Sequence, residues 1–161
     1  MAGWPSKWKG ADFDATTNDI ATDPDCRWAA YEVALTDFWS QAYGKGFEPP
    51  AAVQLFTGQV ATACGTGTSE MGPFYCPGDA TVYLDTGFFD QLTSQLGAQG
   101  GDAAEAYVIA HEYGHHISNR TGVLGQVQRA GNQTGANSPQ VKLELQADCY
   151  AGVWMKNATK D

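Results

Sequence analysis

Residues 111–115 read His-Glu-Tyr-Gly-His, and this stretch predicts the element on which the fold is centred. In an α-helix, residues i and i+4 lie one turn apart on one face, so His111 and His115 would present two imidazoles side by side. Neutral imidazole nitrogen binds zinc, and a catalytic zinc site takes three protein ligands and a water molecule. Glu112 would lie beside that water and accept a proton from it. The stretch therefore predicts a zinc-binding helix.

The third ligand must come from another part of the chain. One known pattern places a histidine six residues after the second one and requires Gly at 118 and His at 121, but this sequence has Ser118 and Thr121. No histidine follows His116, so a later ligand must be a carboxylate or a thiolate. The residues that offer one are Glu144, Asp148, Cys149 and Asp161.

Glu144 and Asp148 are again four residues apart, on a predicted final helix. A ligating histidine usually donates its second ring N–H to a carboxylate, which fixes its tautomer. We therefore expect Glu144 to bind zinc and Asp148 to hold an imidazole, that of His111. The alternative is an exposed acidic helix face. His116 points about 100° away from His115 and is expected to be structural.

Composition limits the class of protein. A chain of 161 residues with 43% hydrophobic residues is long enough for one domain with a real core. The net charge of −9 makes nucleic acid and anionic membranes poor partners. The sequence has no apolar run of membrane-spanning length and no signal-peptide pattern, so we expect that, if the protein is exported, its signal or anchor is not present in this chain. The low fraction of charged residues, 17%, and the many uncharged polar residues suit an extracytoplasmic (secreted, periplasmic or cell-surface) protein.

Four cysteines are compatible with two disulfides. Cys64 and Cys76 are close in sequence and flank a turn-rich segment, so we expect them to pair. A Cys26–Cys149 bond then follows by elimination. Four reduced thiols in a cytosolic protein are the alternative.

Residues 1–22 are polar and lack clear periodicity, which predicts an extended arm or tag remnant, and residues 23–161 are predicted to form one catalytic domain. Hydrophobic spacing and β-branched content predict helices and strands in the rest of the chain. The predicted helices are 25–43, 86–96, 103–119 and 139–156, and the predicted strands are 52–56, 73–76 and 81–84. Asp102 is expected to cap the motif helix together with Glu105, and Ser138 to cap the last helix. Residues 58–72 and 122–137 are expected to be irregular.

Four segments together resemble the bacterial neutral zinc metallopeptidase family. They are Tyr-Val-Ile-Ala-His-Glu-Tyr-Gly-His-His at 107–116, Leu-Glu-Leu-Gln-Ala-Asp-Cys-Tyr-Ala-Gly-Val-Trp at 143–154, and Met-Gly-Pro-Phe-Tyr-Cys-Pro at 71–77 with Val-Tyr-Leu-Asp at 82–85. The resemblance implies an α+β, zincin-like domain in which a small sheet accompanies the active-site helix and a glutamate-bearing helix follows it. It also implies one catalytic zinc ion held by His111, His115 and Glu144, with Glu112 as the catalytic residue.

The expected activity is zinc-dependent hydrolysis of a peptide or protein, of the endopeptidase type. Enzymes of this kind usually bind substrate along an edge strand near the active helix, and Thr81 to Leu84 is the candidate strand. Tyr83, Tyr113 and Tyr150 are candidates for stabilising the oxyanion or contacting substrate. Two alternatives are a non-catalytic zinc-binding module of the same fold and a zinc hydrolase of a non-protein amide such as a cell-wall peptide.

Overall fold

The structure is a computed structural model that describes residues 17–158, without the side chains of residues 17–19, 96 and 98–100. Within these residues, helices pack around a small mixed sheet, which agrees with the α+β class. The helices are α1 (Thr17–Thr22), α2 (Pro24–Tyr43), α3 (Thr86–Leu96), α4 (Ala98–Arg120), α5 (Val123–Arg129) and α6 (Pro139–Ala158). The strands are β1 (Ala52–Phe56), β2 (Gln59–Thr62), β3 (Gly65–Thr68), β4 (Phe74–Cys76) and β5 (Thr81–Asp85).

The predicted N-terminal arm falls largely outside the described residues. The prediction is wrong for its last six residues, which are helical rather than extended and form α1. Helix α2 agrees with the prediction. It begins after Asp23, whose carboxylate accepts a hydrogen bond from the backbone N–H of Asp25, and ends at Gly44, which has a positive φ of 65°.

The main sheet has the strand order β1-β5-β4. Strand β5 runs parallel to β1 and antiparallel to β4, and all five of its residues are buried. The prediction that residues 81–84 form the edge strand for substrate is therefore wrong, because this apolar, β-branched run occupies the centre of the sheet. Strand β4 is an edge of the sheet instead.

Residues 58–72 contain a β-hairpin where the sequence predicted an irregular segment. Strands β2 and β3 pair antiparallel, from Gln59 opposite Thr68 to Thr62 opposite Gly65. A Cβ atom on Gly67 would lie 2.5 Å from the Phe74 ring, so glycine allows the hairpin to pack against β4. Its glycine and threonine content hid the strands from a prediction based on hydrophobic periodicity.

The Cys64–Cys76 disulfide forms and joins this hairpin to the end of β4. The expected Cys26–Cys149 bond does not form. Cys26 is buried within α2, whereas Cys149 is on the exposed face of α6, so the two thiols do not meet.

Helix α4 begins at Ala98, five residues before the predicted start, and Gly97 occupies the N-cap position. Glu105 does not cap the helix. It is buried, and Arg27 of α2 donates to its carboxylate from Nε at 2.6 Å and from Nη2 at 3.2 Å. Because a buried carboxylate needs a partner, this contact between helices replaces the local capping interaction that the sequence suggested.

The segment after α4 is partly helical rather than irregular, since α5 occupies Val123–Arg129 and buries Leu124. Helix α6 begins as predicted: the Ser138 hydroxyl accepts a hydrogen bond from the backbone N–H of Val141 at 3.3 Å. Among the described residues, no helix is both long enough and apolar enough to cross a bilayer.

Helix α4 passes through the centre of the core. Ile109, Tyr113 and Ile117 are completely or almost completely buried on one of its faces, against apolar residues of α2 and β5. The zinc-binding pattern lies on the opposite face. The core therefore fixes the rotation of α4 about its axis, and this rotation sets the direction in which His111 and His115 point.

Candidate metal centre

The site forms where α4 crosses α6. At this crossing the helices lie so close that a Cβ atom on Gly114 would be 2.8 Å from Cα and 3.0 Å from the carbonyl oxygen of Ala147. Only a residue without a side chain fits here, and Ala147 opposite it is completely buried. The close approach brings the first turns of α6, with Glu144 and Asp148, next to the histidines of α4.

Three side-chain atoms converge at this crossing. His111 Nε2 lies 3.1 Å from His115 Nε2 and 3.1 Å from Glu144 Oε2, and His115 Nε2 lies 3.3 Å from the same Glu144 oxygen. Two of the three candidate ligand residues lie on α4 and one lies on α6, so the cluster depends on the packing of both helices. The structure thus brings together the three residues that the sequence nominated.

The spacing of these atoms fits a tetrahedral zinc site. Ligand atoms that are each 2.0–2.1 Å from a tetrahedral ion lie about 3.3–3.4 Å from one another. The observed 3.1–3.3 Å is close to that value. A pair of neutral imidazoles with a carboxylate is also a known set of zinc ligands that leaves the fourth position open.

The tautomer of His111 gives an independent argument for a cation at this site. His111 Nδ1 lies 2.8 Å from Asp148 Oδ1 and therefore donates its proton to that carboxylate. In the neutral ring, Nε2 then carries a lone pair, which faces the carboxylate of Glu144. Two acceptors at 3.1 Å repel each other unless a proton or a metal cation lies between them. Asp148 thus lies where the sequence analysis expected a carboxylate that orients His111.

Tyr107 extends this arrangement by one residue, which the sequence analysis missed. Its hydroxyl donates to the same Asp148 oxygen that accepts from His111. These hydrogen bonds hold the pKa of Asp148 below its usual range. The signal was present in the sequence, because Tyr107 is one helical turn before His111 on α4.

Glu112 lies beside the three converging atoms and is only 6% exposed. Burial, together with the nearby Glu144 carboxylate, raises the pKa of Glu112 to about 8 in the protein without a metal. A cation among the ligand atoms would favour its ionised form and lower this pKa again. A carboxylate in these surroundings can both accept and release a proton near neutral pH.

The ligand atoms open onto a cleft of about 580 Å³. One wall comes from β4 and its flanking prolines, and the opposite wall from α5 and the loop after it. The residues that line it, besides those of the metal cluster and Glu112, are Pro73, Phe74, Tyr75, Pro77, Leu124, Val127, Gln128, Gly131, Asn132, Gln140 and Leu143. This cleft has the size of a small-molecule or peptide site.

The three candidate tyrosines do not line the cleft. Tyr83 is buried on β5 and donates to Asp79 at 2.8 Å. Tyr113 is in the core, with its hydroxyl 3.0 Å from Thr36 of α2. The ring of Tyr150 packs edge-on against Trp39. Their rings serve as core and sheet side chains away from the cleft, so this geometry lends no support to the expected contact with substrate, which stays a prediction.

Tyr75 of β4 does line the cleft. Its hydroxyl lies 2.9 Å from His116 Nδ1 and accepts a hydrogen bond from the Asn119 side chain at 2.9 Å. His116 Nε2 donates to the backbone carbonyl of Glu48 at 2.7 Å. Because burial lowers the pKa of His116, its ring stays neutral and Nδ1 accepts from Tyr75. His116 thus serves the structural purpose expected of it and ties β4 to α4.

Comparison with known proteins places these residues in a family. YpfJ of Escherichia coli K12, an uncharacterized protein, is 40% identical over 161 residues, which cover 96% of this chain and 54% of YpfJ. Rv2575 of Mycobacterium tuberculosis H37Rv, also uncharacterized, is 58% identical over 102 residues, which cover 63% of this chain and 34% of Rv2575. The chain thus spans about half the length of YpfJ and a third of Rv2575. No solved structure matches it.

A family profile covers almost the whole sequence. The family is described as "Putative neutral zinc metallopeptidase", and its profile matches residues 13–161. The matched range includes both helices of the metal centre and the strand that lines the cleft. On this match and on the similarity to YpfJ, the chain belongs to that zinc metallopeptidase family.

Proposed function

We propose that the protein hydrolyses peptide bonds with one zinc ion held by His111, His115 and Glu144. The observation that carries the proposal is the convergence of three ligand atoms at 3.1–3.3 Å beside a buried glutamate. A site that only stabilised the fold would need a fourth protein ligand and would not need Glu112. Membership of the family supports the same chemistry.

Each residue of the site has a separate task. Zinc, when bound, lowers the pKa of a water molecule towards about 7 and polarises the scissile carbonyl group. Glu112 accepts a proton from the attacking water and delivers it to the leaving amine. Asp148 holds His111 in the tautomer that leaves Nε2 unprotonated, and Tyr107 holds Asp148 by donating to its carboxylate.

The substrate would lie along β4. Among the described residues, this strand pairs with β5 on one side only, and Phe74 and Tyr75 border the cleft. An extended peptide can add to such an edge through backbone hydrogen bonds, with alternate side chains directed into the cleft. The candidate edge strand for substrate is therefore β4, which borders the cleft, rather than residues 81–84.

The cleft favours cleavage within a chain over removal of a C-terminal residue. None of the described residues that line it is lysine or arginine. A free C-terminal carboxylate would have no cationic partner there and would lie near Glu112 and Glu144. The carboxamides of Gln128, Asn132 and Gln140 are instead suited to peptide groups, which donate and accept hydrogen bonds.

We also propose that the protein works outside the cytoplasm. Disulfides persist in oxidising compartments and are rare in the cytosol. The Cys64–Cys76 bond supports this location.

The proposal is tested by comparing the wild-type protein with Glu112→Gln, which keeps the shape of the side chain and removes the carboxylate. Zinc content is measured by elemental analysis, and cleavage is measured on casein, a quenched peptide library and cell-wall peptide fragments. We expect one zinc ion per chain in both proteins and a loss of cleavage by about 10²- to 10⁴-fold in the variant. Chelation should abolish wild-type cleavage, and added zinc should restore it.

Other results would favour the alternatives. Bound zinc with equal background cleavage in both proteins would indicate a non-catalytic zinc module. Hydrolysis of the cell-wall fragments alone, dependent on Glu112, would identify a hydrolase of non-protein amides.

A further inference from the structure

A second, smaller cavity lies against the other side of the catalytic turn. It has a volume of about 200 Å³ and is lined by Pro73, Phe88, Tyr107, Val108, His111 and Glu112. We call it the side pocket. Pro73, His111 and Glu112 also line the large cleft, so the two spaces meet at the catalytic residues. A substrate that reaches the metal centre from the cleft therefore passes the mouth of the side pocket.

The walls of the side pocket are apolar away from this mouth. Pro73, Phe88 and Val108 have no polar side-chain atoms. Tyr107 has one, but its hydroxyl already donates to Asp148, so the tyrosine offers mainly its ring. The polar groups that remain belong to His111 and Glu112, at the catalytic end. A polar or charged group placed against the apolar walls would find no hydrogen-bond partner among Pro73, Phe88 and Val108.

The position of Phe88 is set by the surrounding fold. It follows β5 in the first turn of α3, and its ring packs edge-on against Phe89 at a centroid distance of 5.3 Å. On another side the ring approaches the buried Gly72, where a Cβ atom would lie 3.9 Å from Phe88 Cδ2. Val108 is held on α4, directly after Tyr107. Both walls thus belong to packed helices, and the pocket is formed before a substrate arrives.

We propose that the side pocket binds one apolar side chain of the substrate, that of a residue next to the scissile bond. This inference rests on the proposed peptidase function and names the substrate class: peptides with a leucine-like or aromatic residue at that position. The volume suits a single side chain, and the contact with Glu112 places that side chain beside the reacting carbonyl. Phe88 and Val108 are then the residues that determine specificity.

The test uses two variants that change the pocket in opposite directions. Val108→Phe fills the pocket, and Phe88→Leu widens it. Zinc-loaded proteins are compared on quenched peptides that carry Ala, Leu, Phe or Asp at each of the two positions flanking the cleaved bond. Leu92→Ala is the matched control, because Leu92 is one turn after Phe88 on α3 and packs in the same core without lining the pocket.

We expect the wild-type protein to prefer Leu over Asp by about 10-fold or more at one flanking position. Val108→Phe should lower the Leu-to-Ala ratio of kcat/KM at that position by about 10-fold, whereas Phe88→Leu should raise the Phe-to-Leu ratio. Leu92→Ala should leave both ratios unchanged. Opposite shifts in the two variants could not arise from a general loss of stability.

A binding measurement separates this inference from the peptidase proposal. Zinc-loaded Glu112→Gln is titrated with the same peptides, carrying a fluorophore, with and without Val108→Phe and Phe88→Leu. If the zinc-loaded wild-type protein cleaves no peptide, but Glu112→Gln binds the apolar peptides more tightly and this binding responds to both variants, the peptidase proposal fails and the side pocket stands. Equal binding and cleavage of Leu and Asp peptides, or a preference that neither variant changes, overturns the inference.

Discussion

Glu144 and Asp148 are both acidic residues on one face of α6, but they meet different atoms of His111. Glu144 faces Nε2, and Asp148 faces Nδ1. Because a neutral imidazole has one donor and one acceptor nitrogen, the carboxylate at Nδ1 determines that Nε2 is the acceptor. In the proposed site, one helical turn therefore separates the carboxylate that would bind a cation from the carboxylate that orients a ligating histidine.

Removing these two carboxylates should weaken zinc binding to different extents. Asp148→Ala should lower zinc affinity by about 10- to 100-fold, the usual effect of losing a partner of a ligating histidine. Glu144→Ala should lower it further, because a ligand itself is lost. Competition with a chelator of known affinity measures both effects. Glu70→Ala, which removes an exposed carboxylate outside the cleft, is the control. Wild-type affinity in Glu144→Ala would refute the ligand assignment.

The buried carboxyl of Glu112 predicts a pH-dependent stability of the zinc-free protein. Its folded-state pKa is raised to about 8, above its value in the unfolded chain. The favourable contribution of the protonated form is therefore complete below about pH 4.5 and is lost as the pH rises towards 8. Glu112→Gln should raise the Tm of the zinc-free protein at pH 8 and have little effect at pH 4.5. Equal Tm differences at both pH values would contradict this prediction.

At the scale of elements, the metal centre depends on one close approach between two helices. Gly114 and Ala147 let α4 and α6 come within a distance at which a Cβ atom on Gly114 would overlap the backbone of α6. Two of the ligands are contributed by one helix and the third by the other. A small change in helix separation therefore changes the spacing of the ligand atoms directly.

Gly114→Ala should therefore reduce both stability and zinc affinity. The added methyl group forces the helices apart, which costs about 1–3 kcal/mol of unfolding free energy by overpacking. Gly152→Ala is the matched control, since Gly152 is an exposed residue of α6 and a Cβ atom added to it would meet no other atom within 4 Å. It should gain up to about 1 kcal/mol from helix propensity. Urea unfolding measures the stability of each variant, and a zinc titration measures its zinc affinity. A stabilised Gly114→Ala with full zinc affinity would contradict the proposed role of the helix crossing.

At the scale of the whole molecule, three contacts join the parts of the chain that surround the site. The ion pair between half-buried Arg27 and buried Glu105 links α2 to α4, and Tyr31 also donates to the carbonyl of Asp102. On the other side, the Cys64–Cys76 disulfide links the β2–β3 hairpin to β4, the strand that borders the cleft. The cleft wall is thus fixed covalently at one end.

Breaking the disulfide should destabilise the protein. Its loop of 12 residues corresponds to about 3 kcal/mol of unfolding free energy in the chain-entropy account. Cys64→Ser should show this loss in urea unfolding, whereas Cys149→Ser, at an exposed position, should show almost none. Peptide mapping by mass spectrometry without reductant should find the Cys64–Cys76 link. A Cys26–Cys149 link in the same map would contradict the structure.

Several elements could be predicted because their signals are local. Helix α2 follows from aromatic spacing and Gly44, strand β5 from its β-branched run, and the start of α6 from Ser138 and Pro139. The predictions were wrong where a partner far away in the sequence determined the role of a residue. Glu105 resembles a capping residue in sequence, but its carboxylate accepts hydrogen bonds from Arg27 in another helix.

By itself the sequence determined the chemistry available to this protein: two histidines one turn apart, a glutamate between them, and a second pair of carboxylates one turn apart. These relations follow from helix periodicity, which needs no knowledge of the rest of the fold. Only the tertiary structure decided which atoms meet. The Gly114–Ala147 crossing brings Glu144 to the histidines, β5 at the sheet centre leaves β4 as the edge, and core packing withdraws Tyr83, Tyr113 and Tyr150 from the cleft. Those outcomes depend on contacts between residues far apart in the chain, which no local pattern encodes.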